Sequence, residues 1–191
     1  MIIGITGGTG SGKSTLLHLI EQRGGLVLDC DAIYHELLQT DADLLQRIET
    51  CFPGTVTNGA LDRKKLGAIV FHNDAALQEL NLITHAAVKK EVLRRQEKKP
   101  SLAAIDAIGL FEGELDGLCD VTVAITAPAP DRIRRIMARD GISEEYARNR
   151  IAAQHDDKWF TSKCGYVLEN NGTAEEFTAK CVAFLSKLGI I

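Results

Sequence analysis

Apolar positions along the chain fall into two alternating kinds of segment. Short runs rich in β-branched residues or leucine, at Ile2–Ile5, Leu26–Leu28, Leu102–Ile108, Val121–Ile125 and Tyr166–Leu168, have the character of buried strands. Longer stretches between them carry apolar residues at helical spacing. Strands that alternate with helices predict an α/β fold, a parallel sheet wrapped by helices. Local signals agree. Thr173 and Glu176 form a capping box ahead of a final helix whose core face is Phe177, Val182, Phe184, Leu185 and Leu188, and Gly24-Gly25 ends the first helix.

Between residues 28 and 102 no run reads as a strand. Helical patterns lie near Asp43–Phe52, Asp62–Phe71, Ala75–Thr84 and Ala87–Lys98, with turns at Pro53-Gly54 and Thr57-Asn58-Gly59 and a close at Pro100-Ser101. This stretch is too long for a simple crossover. It predicts a helical insertion over roughly residues 40–100, able to cover one side of a site built at the strand ends.

Composition narrows the classes. The length of 191 residues suits one compact domain, and no apolar run is long enough for a membrane span. A net charge of −4 argues against a duplex-DNA binder held by phosphate neutralisation, so any anion site must be local. No Lys or Arg precedes the first apolar run, which argues against a cleaved signal peptide. Cys30, Cys51, Cys119, Cys164 and Cys181 are scattered, without a CxxC pair, and predict incidental thiols in a cytoplasmic protein. With the charge and the lack of a long apolar run, the expectation is a small-molecule substrate, with no nucleic-acid, membrane or obligate protein partner evident.

The strongest motif is Gly7-Gly8-Thr9-Gly10-Ser11-Gly12-Lys13-Ser14, a GxxxxGKS sequence directly after a strand and directly before a helix. Its glycines let backbone N–H groups close around phosphate oxygens, and the helix start aims its dipole at the same place. Thr9, Gly10, Ser11, Gly12, Lys13, Ser14 and Thr15 are therefore candidate nucleoside-triphosphate-binding residues. Lys13 supplies charge to the β/γ-phosphates, and the Ser14 hydroxyl is the candidate ligand of Mg²⁺.

A guanine-reading Asn-Lys-x-Asp is absent, so a GTPase switch is disfavoured although Asp106-Ala107-Ile108-Gly109 has the Asp-x-x-Gly form. The second strand ends in Asp29-Cys30-Asp31, whose two carboxylates would share a strand face, and a carboxylate that accepts the acceptor hydroxyl's proton is what phosphoryl transfer needs. Asp31 has a second reading as the N-cap of a helix over Ala32–Leu38. Arg132, Arg135 and Arg139 share one helical face, followed by Gly141 and a helix capped by Ser143. This predicts a lid over roughly residues 130–155 that closes on the triphosphate and excludes water.

Together these segments resemble the dephospho-CoA kinase family over nearly the whole chain. The resemblance is carried by Thr6-Gly7-Gly8, Asp29-Cys30-Asp31, Leu61-Asp62-Arg63, His85 at the end of a leucine-rich helix, Asp106 with Leu110-Phe111-Glu112, Arg139-Asp140-Gly141-Ile142-Ser143, Arg150-Ile151 with Gln154, and Asn170-Asn171-Gly172. It implies a three-layer phosphate-loop NTPase fold with a five-stranded parallel sheet, a helical substrate-binding insertion and a lid. It also implies that the nucleotide bound by the loop is ATP, and that the ATP γ-phosphoryl is transferred to the ribose 3′-hydroxyl of dephospho-CoA. Carried over, Asp31 is the base, Lys13 and Arg139 act on the phosphates, Asn171 lies near adenine, and His85, Phe111 and Glu112 lie near the acceptor. The chain departs from the family at His35, where an arginine is usual, and at Ala86, Gly109 and Gly165. A related small-molecule or nucleotide kinase with another acceptor is the alternative.

Overall fold

The computed structural model describes residues 1–71, 73–97 and 100–191. The chain divides into two compact units, one comprising Met1–Leu28, Pro100–Phe111 and Leu115–Ile191, the other Asp29–Lys99 and Glu112–Glu114.

The first unit contains the sheet. Its strands are β1 (Ile2–Thr6), β2 (Leu26–Asp29), β5 (Ala103–Asp106), β6 (Val121–Thr126) and β7 (Tyr166–Glu169), in the order β2-β5-β1-β6-β7. β1 pairs in parallel with β5 and β6, and β6 with β7, so all five segments expected to be strands are strands. Helix α1 (Lys13–Gln22) and helix α9 (Ala174–Lys187) build the main core with the sheet: Leu16, Ile20, Phe177, Phe184 and Leu185 pack with Ile3, Ile5, Val123 and Ile125. The α9 capping box forms as expected, with Thr173 and Glu176 each accepting from the other's backbone N–H. Helices α6 (Ala129–Asp140) and α7 (Glu144–Ala152, capped by Ser143) close a smaller cluster of Ile133, Ile136 and Ala147. Helix α8 (Asp157–Lys163) leads into β7.

The second unit holds α2 (Cys30–Thr40), α3 (Ala42–Cys51), a hairpin of β3 (Val56–Thr57) and β4 (Ala60–Leu61), α4 (Arg63–Val70) and α5 (Asp74–Gln96). The hairpin turns on Asn58 and Gly59, whose φ values of 53° and 74° suit the two-residue turn that matches strand twist.

The structure corrects four expectations, the first being that no strand lies between residues 28 and 102, where the short β3–β4 hairpin stands. The Ala75–Thr84 and Ala87–Lys98 patterns belong to a single helix, α5, as far as Gln96, with Lys98 outside the described residues. No glycine or proline interrupts α5, and the Thr84 hydroxyl folds back onto the Leu80 and Asn81 carbonyls without breaking it. His85 therefore sits in mid-helix rather than at a helix end. Finally, the N-cap of α2 is Asp29, whose Oδ1 accepts from the Ala32 N–H at 2.9 Å; Asp31 lies in the first helical turn, so the two carboxylates do not share a strand face.

Candidate active site

In the first unit the site is built around the loop between β1 and α1. Gly7 has φ 132°, and a Cβ there would meet the Ile125 carbonyl oxygen at 2.1 Å, so only glycine permits the chain to leave β1 in this direction. Gly12 is the left-handed N-cap of α1. The loop closes on itself through a hydrogen bond from Ser11 N–H to Gly8 O at 3.1 Å. The Lys13 ammonium donates to Gly7 O at 3.2 Å and lies 3.7 Å from Asp106 Oδ1 at the end of β5, both side chains being about 15% exposed. Ser14 is exposed in the first turn of α1. Among the described residues Ser11 Oγ is buried without a hydrogen-bond partner, an unspent donor inside the loop.

The arginine face divides its duties. Arg132 is buried; its Nε donates to Thr9 O at 2.9 Å and its Nη2 to Gln154 Oε1 at 3.3 Å. Arg135 Nη1 donates to Gly10 O at 3.1 Å and Ser11 O at 3.4 Å, while Nη2 donates to Asn170 Oδ1 at 3.2 Å. Asn170 in turn donates to Ser11 O at 2.8 Å. Of the three arginines on the expected lid face, two thus hold the loop's carbonyl oxygens. The third, Arg139, is exposed and forks onto its neighbour Asp140 at 2.7 and 3.0 Å. That bond, with help from Arg150, holds the Asp140 carboxyl at about 2.

Asn171 is exposed, donating to Glu169 and accepting from Lys180 at 2.9 Å, so the structure brings Asn170 rather than Asn171 to the loop. Phe111 meets Trp159 edge-on at 5.9 Å, with the Lys163 ammonium over both rings. Thr9 N–H, expected among the phosphate donors, is donated to Gln154 Oε1 at 2.9 Å. Gln154 and Asn170 were not among the expected site residues, and Arg132 and Arg135, expected on a lid face that closes on the triphosphate, reach the loop's own carbonyl oxygens; helical spacing placed the arginines on one face but carried no sign of that target.

In the second unit, Asp31 is exposed in the first turn of α2. One turn on, His35 Nδ1 lies 3.4 Å from the Arg63 guanidinium, so a guanidinium stands beside the position where the resemblance leads one to expect an arginine. Arg63 also bears on Tyr34, whose phenol is raised by burial against the lowering effect of that charge. His85 Nδ1 faces the Glu112 carbonyl at 3.3 Å, and Lys89 pairs with Glu114 at 2.9 Å. His85 and Glu112 are therefore brought together, through a backbone carbonyl rather than the carboxylate.

Among the described residues none of the five cysteines forms a disulfide, and burial pushes Cys119 up to about 12 and Cys164 and Cys181 up to about 11, far from a reactive thiolate. No described helix is long and apolar enough to cross a membrane.

A family model described as "Dephospho-CoA kinase" matches residues 1–176. The dephospho-CoA kinase of Geobacillus kaustophilus is 35% identical over 193 residues, covering 98% of this chain and 96% of the relative. That of Thermus thermophilus is 34% identical over 189 residues, covering 98% and 92%. Among solved structures, the dephospho-CoA kinase from Campylobacter jejuni aligns with a TM-score of 0.68 at 26% identity, covering 98% of this chain and 96% of that one. A shikimate kinase from Acinetobacter baumannii, with a TM-score of 0.55 at 18% identity, covering 97% and 93%, shares the fold.

Proposed function

The chain belongs to the dephospho-CoA kinase family, whose members transfer the γ-phosphoryl of ATP to the ribose 3′-hydroxyl of dephospho-CoA, and from that premise we propose how its residues share the reaction. The observation that carries the assignment is the Lys13 ammonium, held 3.2 Å from Gly7 O at the head of α1 where a glycine loop opens onto the helix N-terminus. The loop from Thr9 to Thr15 binds the triphosphate: N–H dipoles and the helix start stabilise its charge, and Lys13 follows the charge that develops on the γ-phosphoryl as the bond to the β-phosphate breaks.

Asp31 accepts the proton of the 3′-hydroxyl as that oxygen attacks phosphorus. Its exposure in the first turn of α2 supports this role, since a carboxylate open to solvent is open to an incoming hydroxyl and can take its proton without reorganising the core. Arg139 exchanges its surface pairing with Asp140 for the triphosphate; an exposed pair of this kind is weak and easily replaced by a phosphate fork. Asn171 reads the adenine edge. His85, Phe111 and Glu112 line the acceptor site, and Arg63 adds there a guanidinium suited to the acceptor's own phosphates.

Mg²⁺ fits the donors present, the Ser14 hydroxyl and the Asp106 carboxylate, 3.7 Å from Lys13 Nζ, both being hard oxygen ligands, and Ser14 is the residue that would hold it. When bound, it supplies charge neutralisation to the β- and γ-phosphates. A cytoplasmic setting belongs to the same proposal.

The test is ADP release from Mg·ATP in the presence of dephospho-CoA, adenosine, AMP or shikimate. Release stimulated by dephospho-CoA alone, with one phosphate added at the 3′ position, is expected. Stimulation by another acceptor in its place would overturn the acceptor assignment.

A further inference from the structure

We propose that Arg132 is a positioning residue for ATP, holding the Thr9 segment of the phosphate loop in its receiving form together with Gln154. The inference rests on the reading of that loop as the ATP site.

A guanidinium taken out of water is costly unless each donor finds a partner. The Arg132 side chain is 5% exposed, and its one ionic partner among the described residues, Asp157, lies 3.4 Å away and is itself 40% exposed. Burial accordingly lowers the Arg132 pKa, with Asp157 opposing the shift only in part. What compensates is the loop. Arg132 Nε donates to Thr9 O at 2.9 Å and Nη2 to Gln154 Oε1 at 3.3 Å. Gln154 Oε1 also accepts from Thr9 N–H at 2.9 Å, and Gln154 Nε2 meets Thr9 Oγ1 at 3.1 Å. All three polar groups of Thr9 are thus engaged by residues of α6 and of the segment just after α7. A residue serving only to fill space would need no charge here, and a hydrocarbon would avoid the desolvation. The guanidinium is explained by the peptide group it orients, because a loop that binds through its backbone is only as well aimed as its peptide planes.

Gly8 offers a way to move Arg132 without altering its charge. A Cβ on Gly8 would lie 2.0 Å from Arg132 Nη2 and 2.7 Å from Cζ, while the Gly8 backbone lies outside the left-handed region that excludes alanine. Gly8→Ala therefore acts by displacing the guanidinium.

The experiment is a double-mutant cycle on the full chain with Gly8→Ala, Arg132→Ala and both together, alongside Arg132→Lys and Lys13→Ala. ATP affinity is read by calorimetry on variants shown to be folded, and KM is read for each substrate. Arg132→Ala is expected to weaken ATP binding on the order of 10-fold, with KM for dephospho-CoA within about 2-fold of the parent, and Arg132→Lys to recover part of the loss. Gly8→Ala should cost on the order of 10-fold alone but less than about 2-fold in the Arg132→Ala background, where its cause has been removed. Unchanged ATP affinity in folded Arg132→Ala, or an equal Gly8→Ala penalty in both backgrounds, overturns the proposal. Should Arg132→Ala fail to fold, Gly8→Ala decides: a rise in KM for ATP alone supports the proposal, and no rise defeats it. Lys13→Ala separates the loop's role from that of its support. Retained ATP affinity there removes the loop reading itself, whereas its loss beside an additive cycle removes only the role of Arg132.

Discussion

Around the phosphate loop, polar side chains are spent on the protein: Arg132, Arg135, Gln154 and Asn170 all end on loop atoms, and Lys13 rests between Gly7 O and Asp106. In the second unit the named residues are arranged differently. Asp31 and His35 stand exposed on α2, Arg63 reaches a ring nitrogen at the edge of hydrogen-bond range, and His85 meets a backbone carbonyl. The contrast teaches where each half keeps its order. On the proposed assignment, the triphosphate would be met by backbone dipoles aimed in advance by buried and half-buried groups, which spares reorganisation at the moment of reaction. The acceptor would be met by less tightly held side chains, among them exposed Asp31 and Arg63, whose order would be supplied by the substrate on binding.

If the two halves are as separable as that, damage to one should spare the other's substrate. Asp31→Asn should lower turnover by about 10²–10⁴ while ATP affinity stays near the parent value. A comparable fall in ATP affinity, measured by titration, would break the comparison at its strongest point. Arg63→Ala should raise KM for dephospho-CoA by about 10-fold and leave KM for ATP within about 2-fold, so steady-state kinetics with each substrate varied would sharpen it. The smallest effect expected is on stability alone. Hydrogen bonds from Arg94 and Arg95 hold the Glu91 carboxyl at about 2 against an ordinary 4.5. A depressed carboxyl contributes stability that is complete above its unfolded value and fades as pH falls from about 4.5 towards 2. Glu91→Gln should therefore lower the unfolding midpoint slightly at pH 7, with a difference that closes in acid and no change in either KM.

Much of this was legible in the chain itself. Five strands announced themselves by short β-branched runs, and the GxxxxGKS motif stood in its strand–helix setting. Local rules also found the Ser143 cap and the Thr173–Glu176 box, because capping is a matter of a few neighbouring residues. Where local rules compete, they missed. Asp29 and Asp31 are both plausible caps, and Asp29 takes the position. Residues around Thr84–Ala87 looked like a break, yet burial of Ile83, Ala87 and Val88 carries α5 through. The loop's supports were invisible for a different reason: Arg132, Gln154 and Asn170 reach it across sequence separations of 123, 145 and 159 positions, beyond what any periodicity encodes.

Those separations also order events in time. A ribosome that has delivered Gly7 to Ser14 has delivered the motif but not its supports, since the chain must still be extended through Asn170 before the Ser11 carbonyl meets its partner. Domains form as units once the sequence they require has emerged. Nucleotide capture by this loop should accordingly be a late acquisition of the growing polypeptide, and its first written motif among the last to become competent.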